Sequence, residues 1–135
     1  MIGFSGDAIT CWLDDASVFG DEVEPRAETG LRAVACALAM QEAMERFASV
    51  STPQGASFAL GIKVAVVAGP ARRLLVGDAQ IQRIEVLAGW MLDRLARAEG
   101  CARRGEVIVG EEIVERGEGQ VAIDMWHKAD ETGQR

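Results

Sequence analysis

The sequence is poor in the side chains that carry several common chemistries. His127 is its sole histidine and lies beside a polar C-terminal tail. A serine or cysteine nucleophile activated by imidazole would therefore depend on that one residue, and a zinc site would need a second histidine and closer ligand spacing. The three cysteines are widely spaced in apolar or helical contexts, which predicts buried, reduced thiols in a cytoplasmic protein. They are Cys11, Cys36 and Cys101.

Positive charge and long apolar runs are also scarce. Fourteen Lys and Arg residues face 21 Asp and Glu residues, giving a formal net charge of −7. This balance disfavours a nucleic-acid backbone or an anionic membrane as a general partner. No apolar run has bilayer-spanning length, and the first residues lack the pattern of a signal peptide. With 135 residues, 49% of them hydrophobic, the chain has material for one domain with a single core.

The stretch 3–13 predicts a hairpin with a carboxylate at its tip. Apolar residues stand on both sides of Gly6-Asp7, with Phe4 before the pair and Ile9 after it. A two-residue turn between short strands fits this pattern because Gly-Asp accepts the positive φ that such turns need. Asp7 is then either an ordinary turn residue or a functional carboxylate. The predicted first strand begins almost at residue 1, so we expect a preceding part of the domain to be missing.

The remainder predicts an alternation of strands and helices. Residues 14–30 hold six acidic residues without the spacing of a calcium loop, and we expect a solvated loop there. The apolar patterns beyond it favour a helix at 31–48, strands at 57–68, 72–76 and 80–87, a helix at 89–99, a strand at 107–109, a helix at 111–115 and a strand at 121–125. This order predicts an α+β fold, a ferredoxin-like antiparallel sheet with helices on one face, over residues 1–126, with a polar tail at 127–135.

Two charged positions have simple structural interpretations. Lys63 interrupts the apolar run 57–68, and a lone lysine in such a strand usually extends its amine to solvent at an edge. Asp93 and Arg97 lie one turn apart on the helix 89–99. A surface ion pair, worth a few tenths of a kcal/mol, is the ordinary result of that spacing.

Four motifs in order resemble class III nucleotidyl cyclases. Gly6-Asp7-Ala8 in a hairpin resembles their metal-binding hairpin, and residues 61–69 resemble their long central hairpin. Residues 86–99 are similar to the Gly-x-x-Val-Asn-x-Ala-Ala-Arg-Leu-Glu helix of the family, and Gly105-Glu106-Val107 is similar to the segment that comes after this helix. With Val76-Gly77-Asp78, the sequence looks most like the first cyclase half of soluble, bicarbonate-responsive adenylyl cyclases.

The resemblance implies an adenylate cyclase domain that converts ATP to 3′,5′-cyclic AMP and pyrophosphate. Two Mg²⁺ or Mn²⁺ ions, held by two Asp residues, would activate the ribose 3′-hydroxyl for attack on the α-phosphate. Asp7 matches one of those carboxylates, and Arg97 matches the arginine that stabilises transition-state charge across a dimer interface. Asp93 matches the ribose-orienting Asn. Glu85 lies near the position that reads the adenine edge, and Lys63 is assigned with it to nucleotide binding.

Departures from the family pattern predict that this chain is inactive by itself. The strand with the other metal-binding Asp is missing, Asp93 replaces a neutral amide, and the usual Lys ahead of the hairpin would fall at Gly3. The implied partners are ATP and either a second copy or a second cyclase half. GTP as substrate stays open. The alternative functions are a non-catalytic cyclase-like module for dimerisation or regulation, and a small-molecule sensor that uses the same interface pocket.

Overall fold

A computed structural model of the chain describes residues 2–14 and 27–127. In chain order, the elements in those ranges are β1 (Ile2–Ser5), β2 (Ala8–Cys11), α1 (Ala27–Met44), β3 (Val50–Ser51), β4 (Ser57–Phe58), β5 (Val64–Val66), β6 (Arg72–Asp78), β7 (Gln82–Ala88), α2 (Trp90–Cys101), β8 (Val107–Val109) and α3 (Glu111–Arg116). A 3-10 turn, Glu45–Phe47, extends α1. The α+β class predicted from the sequence is confirmed.

The strands associate in pairs. β1 with β2, β3 with β4, and β6 with β7 form antiparallel hairpins, whereas β5 pairs with β8 in parallel. Both α1 and α2 pack against the parallel β5–β8 pair, and α3 comes directly after β8 and packs against α1. A parallel pair needs such a long crossover connection, which α2 supplies here. The β5–β8 pair and its helices therefore form the centre of the described structure.

Small side chains let the helices approach this centre closely. Val34 and Ala37 on α1, Met91 on α2 and Ile113 on α3 are buried, as is Ala102 just after α2. A Cβ atom on Gly30 of α1 would lie 3.3 Å from Cγ2 of Ile113, so glycine at this position permits contact between α1 and α3. The alanine-rich composition of α1 favours the helical conformation itself.

Gln41 of α1 joins the two chain segments that lead into the parallel strands. Its Nε2 donates hydrogen bonds to the carbonyl oxygens of Ile62, at 3.2 Å, and Glu106, at 3.0 Å. These residues precede β5 and β8. Both carbonyls also accept a backbone hydrogen bond, Ile62 O from Gly105 N and Glu106 O from Val64 N. The Gln41 amide is therefore a second donor to each carbonyl, and it links α1 to both segments.

The helices lie close to their predicted positions, whereas the loop predicted before α1 is shorter than expected. α2 and α3 fall where we expected them, and α1 begins at Ala27. Residues 27–30, predicted as part of the acidic loop, are thus helical; positions 15–26 and 128–135 lie outside the described residues. Two of the apolar residues in the predicted helix 31–48 are not covered: Leu38 is 56% exposed and Phe47 45% exposed.

The predicted long strand 57–68 is wrong. The chain forms two short strands there, and the backbone between them passes from one partner segment to the other: Leu60 N donates to Phe47 O, before β3, whereas Ile62 O accepts from Gly105 N, before β8. A side chain at Gly61, between these two hydrogen bonds, would collide with Arg104. β6, the strand that comes after this run, pairs with β7 and not with β4 or β5. An apolar run specifies burial, whereas a strand also needs a backbone partner along its whole length.

Two further predictions are wrong. Residues 121–125 form no strand in the described chain, although large apolar residues stand at every second position there, as in a half-buried strand. The three cysteines are free thiols, but all of them are exposed, not buried. Cys11 lies on the exposed strand β2, and Cys36 is turned away from the face of α1 that carries Val34. Within the described ranges, no helix has both the length and the apolar character needed to cross a bilayer.

Candidate functional site

Asp7 lies at the tip of the β1–β2 hairpin. Ser5 pairs with Ala8, so Gly6 and Asp7 form the two-residue turn that the sequence predicts. Gly6 has a φ of +60°, a conformation that glycine adopts without strain. Asp7 is exposed. Among the described elements, neither strand of this hairpin packs extensively against another element. The Asp7 carboxylate is therefore accessible to a ligand from outside the hairpin.

Asp93 and Arg97 lie on the solvent side of α2. The helix begins at Trp90, directly after Gly89, whose φ is +136°. Met91 is buried, whereas Asp93 and Arg97 are both exposed. Of the ion pairs within the described residues, none joins these two side chains. The surface ion pair expected from their spacing is thus not formed, and both charged groups face solvent.

Lys63 and Glu85 are each engaged in an ion pair. Lys63 Nζ lies 2.7 Å from Glu99 Oε1 and donates to the Glu99 carbonyl at 3.1 Å, which ties the start of β5 to the end of α2. Glu85 Oε1 lies 2.9 Å from Arg73 Nη2 across the β6–β7 hairpin. All four side chains are at least 36% exposed, so water screens both pairs.

The five predicted site residues lie in four places in the chain: α2, the start of β5, β7 and the β1–β2 turn. Asp93 and Arg97 share α2, and Lys63 contacts the last turn of that helix. Glu85 lies on β7, which leads directly into α2. Asp7 is on the separate β1–β2 hairpin. The structure therefore relates four of the five residues to α2, while Asp7 is carried by a hairpin of its own.

The described residues can supply one carboxylate ligand to a metal ion but do not form a complete metal centre. Mg²⁺ keeps several water ligands and accepts one or two protein carboxylates, which an exposed Asp7 can provide. A clamp for two ions needs more ligands. In residues 2–14 and 27–127, no group of three or more His, Cys, Asp or Glu side chains is arranged to hold a metal. No metal-dependent step can be derived from these residues acting alone.

A charged network that the sequence analysis did not identify lies next to the predicted α2 residues. Arg94 Nη2 forms an ion pair with Glu112 Oε2 on α3, and the Arg94 guanidinium lies over the Trp90 ring, 5.3 Å from its centroid. Glu112 Oε1 accepts a hydrogen bond from Ala68 N at 2.7 Å. The i,i+4 spacing of Trp90 and Arg94 was visible in the sequence. The contacts of Glu112 join residues 18 and 44 positions apart, and nothing local signals them.

A cleft of about 360 Å³ lies where α1 meets the segment before β5. Its lining includes Gln41, Met44, Leu60 and Arg104. None of the five predicted site residues lines this cleft, so it supports no role for them.

Comparison with known proteins identifies no relative of this chain. No family model matches the chain, and neither the curated proteins nor the solved structures contain a match. The motifs and the geometry of the described residues are therefore the basis for the functional assignment.

Proposed function

We propose that this chain is part of a class III nucleotidyl cyclase catalytic domain of the adenylate cyclase type. Such a domain converts ATP to 3′,5′-cyclic AMP and pyrophosphate by two-metal phosphoryl transfer at a dimer interface, and this chain alone is inactive. The observation that carries the proposal is the exposed Asp7 at the two-residue turn of β1–β2. A carboxylate directed into the interior would have removed the metal ligand on which the mechanism depends.

The arrangement of the other elements supports the same proposal. Two hairpins and α1 precede β5, a third hairpin and α2 separate β5 from β8, and β5 pairs with β8 in parallel against α1 and α2. A ferredoxin-like sheet with helices on one face is the finer arrangement we propose. That arrangement would place the β1–β2 hairpin beside an edge of the β5–β8 pair. Each of these sheets has two strands in the described residues, so each has edges at which a further strand could pair.

The residues take the roles that the resemblance implies. Asp7 contributes one carboxylate to the binding of Mg²⁺ or Mn²⁺, and further ligands come from outside the described residues. Arg97 stabilises negative charge on the transferring phosphate, and Asp93 orients the ribose. Glu85 and Lys63 contact the nucleotide, for which they must exchange their ion pairs with Arg73 and Glu99. Exposed pairs contribute roughly 0–1 kcal/mol, so this exchange costs little.

The exposed apolar side chains support function in an assembly. One face of β6–β7 presents side chains that are 40–56% exposed, on paired positions of the two strands: Leu74, Val76, Ile84 and Val86. A contiguous apolar face of this kind is typical of an interaction site. The proposed partner is a second copy of the chain or a second cyclase half.

Sedimentation velocity combined with calorimetric titration of Mn²⁺–ATP tests the proposal. The expected result is self-association and weak nucleotide binding that Asp7→Asn reduces at least fivefold, with Asp124→Asn, an exposed carboxylate elsewhere, as control. A monomer that binds Mn²⁺–ATP tightly, or binding that Asp7→Asn leaves unchanged, would contradict it.

A non-catalytic cyclase-like module is the second candidate. It is favoured by Asp93, an anion where the family places a neutral amide near a triphosphate, and by the incomplete set of metal ligands in the described residues. Self-association without any binding of Mn²⁺–ATP would select this candidate over the enzyme.

A further inference from the structure

Two chain segments connect the β6–β7 hairpin to the rest of the described structure, and the same carboxylate contacts both. The segment that enters the hairpin contains Ala68, four residues before β6, and the segment that leaves it becomes α2 at Trp90. Glu112 contacts both segments. Its Oε1 accepts the hydrogen bond of Ala68 N, and its Oε2 pairs with Arg94 in the first turns of α2. The Glu112 side chain is 14% exposed, the most protected acid among the ion pairs of the described chain.

The adjoining glycine leaves space for this carboxylate. A Cβ atom on Gly110 would lie 2.4 Å from Glu112 Oε1, 2.7 Å from Oε2 and 2.8 Å from Cδ. The backbone at Gly110 has φ −65° and ψ 143°, which any residue adopts. Conformational freedom therefore does not explain glycine here. What the position requires is room for the carboxylate.

Little else holds the hairpin to the rest of the described structure. Of its two strands, β7 packs against α2, and no other described element has extensive contact with either strand. At the base, a Cβ atom on Gly69 would lie 3.3 Å from the Trp90 ring, so the entering segment lies against the residue over which Arg94 is held. The angle between hairpin and α2 thus depends on the contacts at this base.

We propose that Glu112 is a positioning residue that fixes the β6–β7 hairpin relative to α2. The hairpin carries Glu85, and α2 carries Asp93 and Arg97, so Glu112 sets the distance between the proposed base-reading and phosphate-binding sides of the site. This consequence for nucleotide binding rests on the proposed function. The control of the hairpin's orientation does not depend on it.

A distance measurement between two spin labels tests the positioning directly. One label is attached to the native, exposed Cys101 at the end of α2, and the other to Ala79→Cys in the exposed turn of the hairpin, with Cys11→Ser and Cys36→Ser removing the other thiols. Pulsed electron paramagnetic resonance on the whole chain gives the distance distribution. We expect one narrow distribution, which becomes at least twofold broader in Glu112→Ala and in Gly110→Ala.

Gly110→Ala is the sharper of the two variants because it keeps every charged group and only displaces the carboxylate. Gly100→Ala is its matched control: it lies in α2, and apart from its chain neighbours and the adjacent helix backbone no described atom lies within 4 Å of its added Cβ. Glu111→Ala, an exposed neighbour on α3, is the control for Glu112→Ala. Both controls should leave the distribution narrow.

A second readout separates positioning from general stability. Exchange of the Ala68 amide should become about tenfold faster in Glu112→Ala and Gly110→Ala, since the hydrogen bond that protects it is lost. If both variants lower the melting temperature but leave the label distance narrow, Glu112 is merely structural and the inference is overturned. A broad distribution in the unsubstituted background would also overturn it. If Mn²⁺–ATP does not bind but the label distances are as expected, the proposed function is rejected and the inference about Glu112 stands.

Discussion

Two strand pairs of this molecule differ in length and in surroundings. β6 and β7 have seven residues each and pair along their full length, whereas β5 and β8 have three each. All residues of the short pair are partly covered, because α1 and α2 pack on it. Most residues of the long pair are exposed. An isolated hairpin is marginally stable in water, so backbone pairing alone does not make a core. Stability depends on side-chain burial against a second layer, and the short pair with its helices is the stable unit.

The largest expected effect is a difference in stability between two isoleucine-to-alanine substitutions, one beside the central strand pair and one in the long hairpin. Ile113→Ala removes a side chain that is 3% exposed and packs against α1, so we expect a loss of about 3 kcal/mol in the free energy of unfolding. Ile84→Ala on the hairpin, where the side chain is 56% exposed in the single chain, should cost less than about 0.5 kcal/mol at protein concentrations low enough for the chain to be monomeric. Urea denaturation of both variants measures the difference. Equal losses would show that the hairpin belongs to the core.

The hairpin should open without the core. Gly77 has a φ of +120°, and a Cβ there would lie 2.2 Å from Gln82 O, so Gly77→Ala must distort the pairing of β6 with β7 at a local cost of roughly 1–3 kcal/mol. Hydrogen exchange should become at least tenfold faster in β6 and β7 and stay unchanged in β5 and β8. Gly3→Ala in β1, which meets no atom within 4 Å, is the control. Faster amide exchange in β5 and β8 as well would show that the hairpin and the central pair do not open separately.

The segments leading into the central pair should be sensitive to the amide of Gln41. Gln41→Met keeps the length of the side chain and removes one of the two donors to each of the carbonyls of Ile62 and Glu106, which keep their backbone hydrogen bonds. We therefore expect a loss of about 1 kcal/mol in the free energy of unfolding. Glu42→Met, at an exposed position on the same helix, is the matched control. Thermal unfolding measures both. A loss no larger than that of the control would mean that water replaces the amide fully.

The smallest effect is expected within the hairpin. A double-mutant cycle with Arg73→Ala and Glu85→Ala should give a coupling free energy below about 0.5 kcal/mol, since both partners are at least 36% exposed. Raising the salt concentration should reduce it further. A coupling above about 1 kcal/mol would mean that the pair is shielded from water, as it would be in an interface. That outcome would itself identify the hairpin as covered in solution.

The sequence predicted the elements that are specified locally. The Gly6-Asp7 turn, α2, α3 and the two strands of the long hairpin each carry their signal within a few residues. The α+β class results from their order. The position and exposure of Asp7 could be predicted for the same reason.

Features that depend on distant partners could not be predicted. The segment 57–68 reads as one apolar strand, but its backbone partners are β3 and β8, and they select two short pieces of it. The three cysteines lie in apolar stretches, yet neighbouring elements do not cover them. Glu112 looks like its exposed neighbour Glu111 in the sequence. Its distinct role comes from Ala68 and Arg94, which the fold brings to it.

The measurement that tests the central claim most directly is paramagnetic broadening of amide resonances by Mn²⁺–ATP. We predict that broadening is strongest at Gly6 and Asp7 and that Asp7→Asn reduces it at least fivefold at these amides. Broadening that is centred on other carboxylates and persists in Asp7→Asn would show that the hairpin tip does not bind the metal. In that case the proposal that the chain is part of a metal-dependent cyclase domain would be wrong.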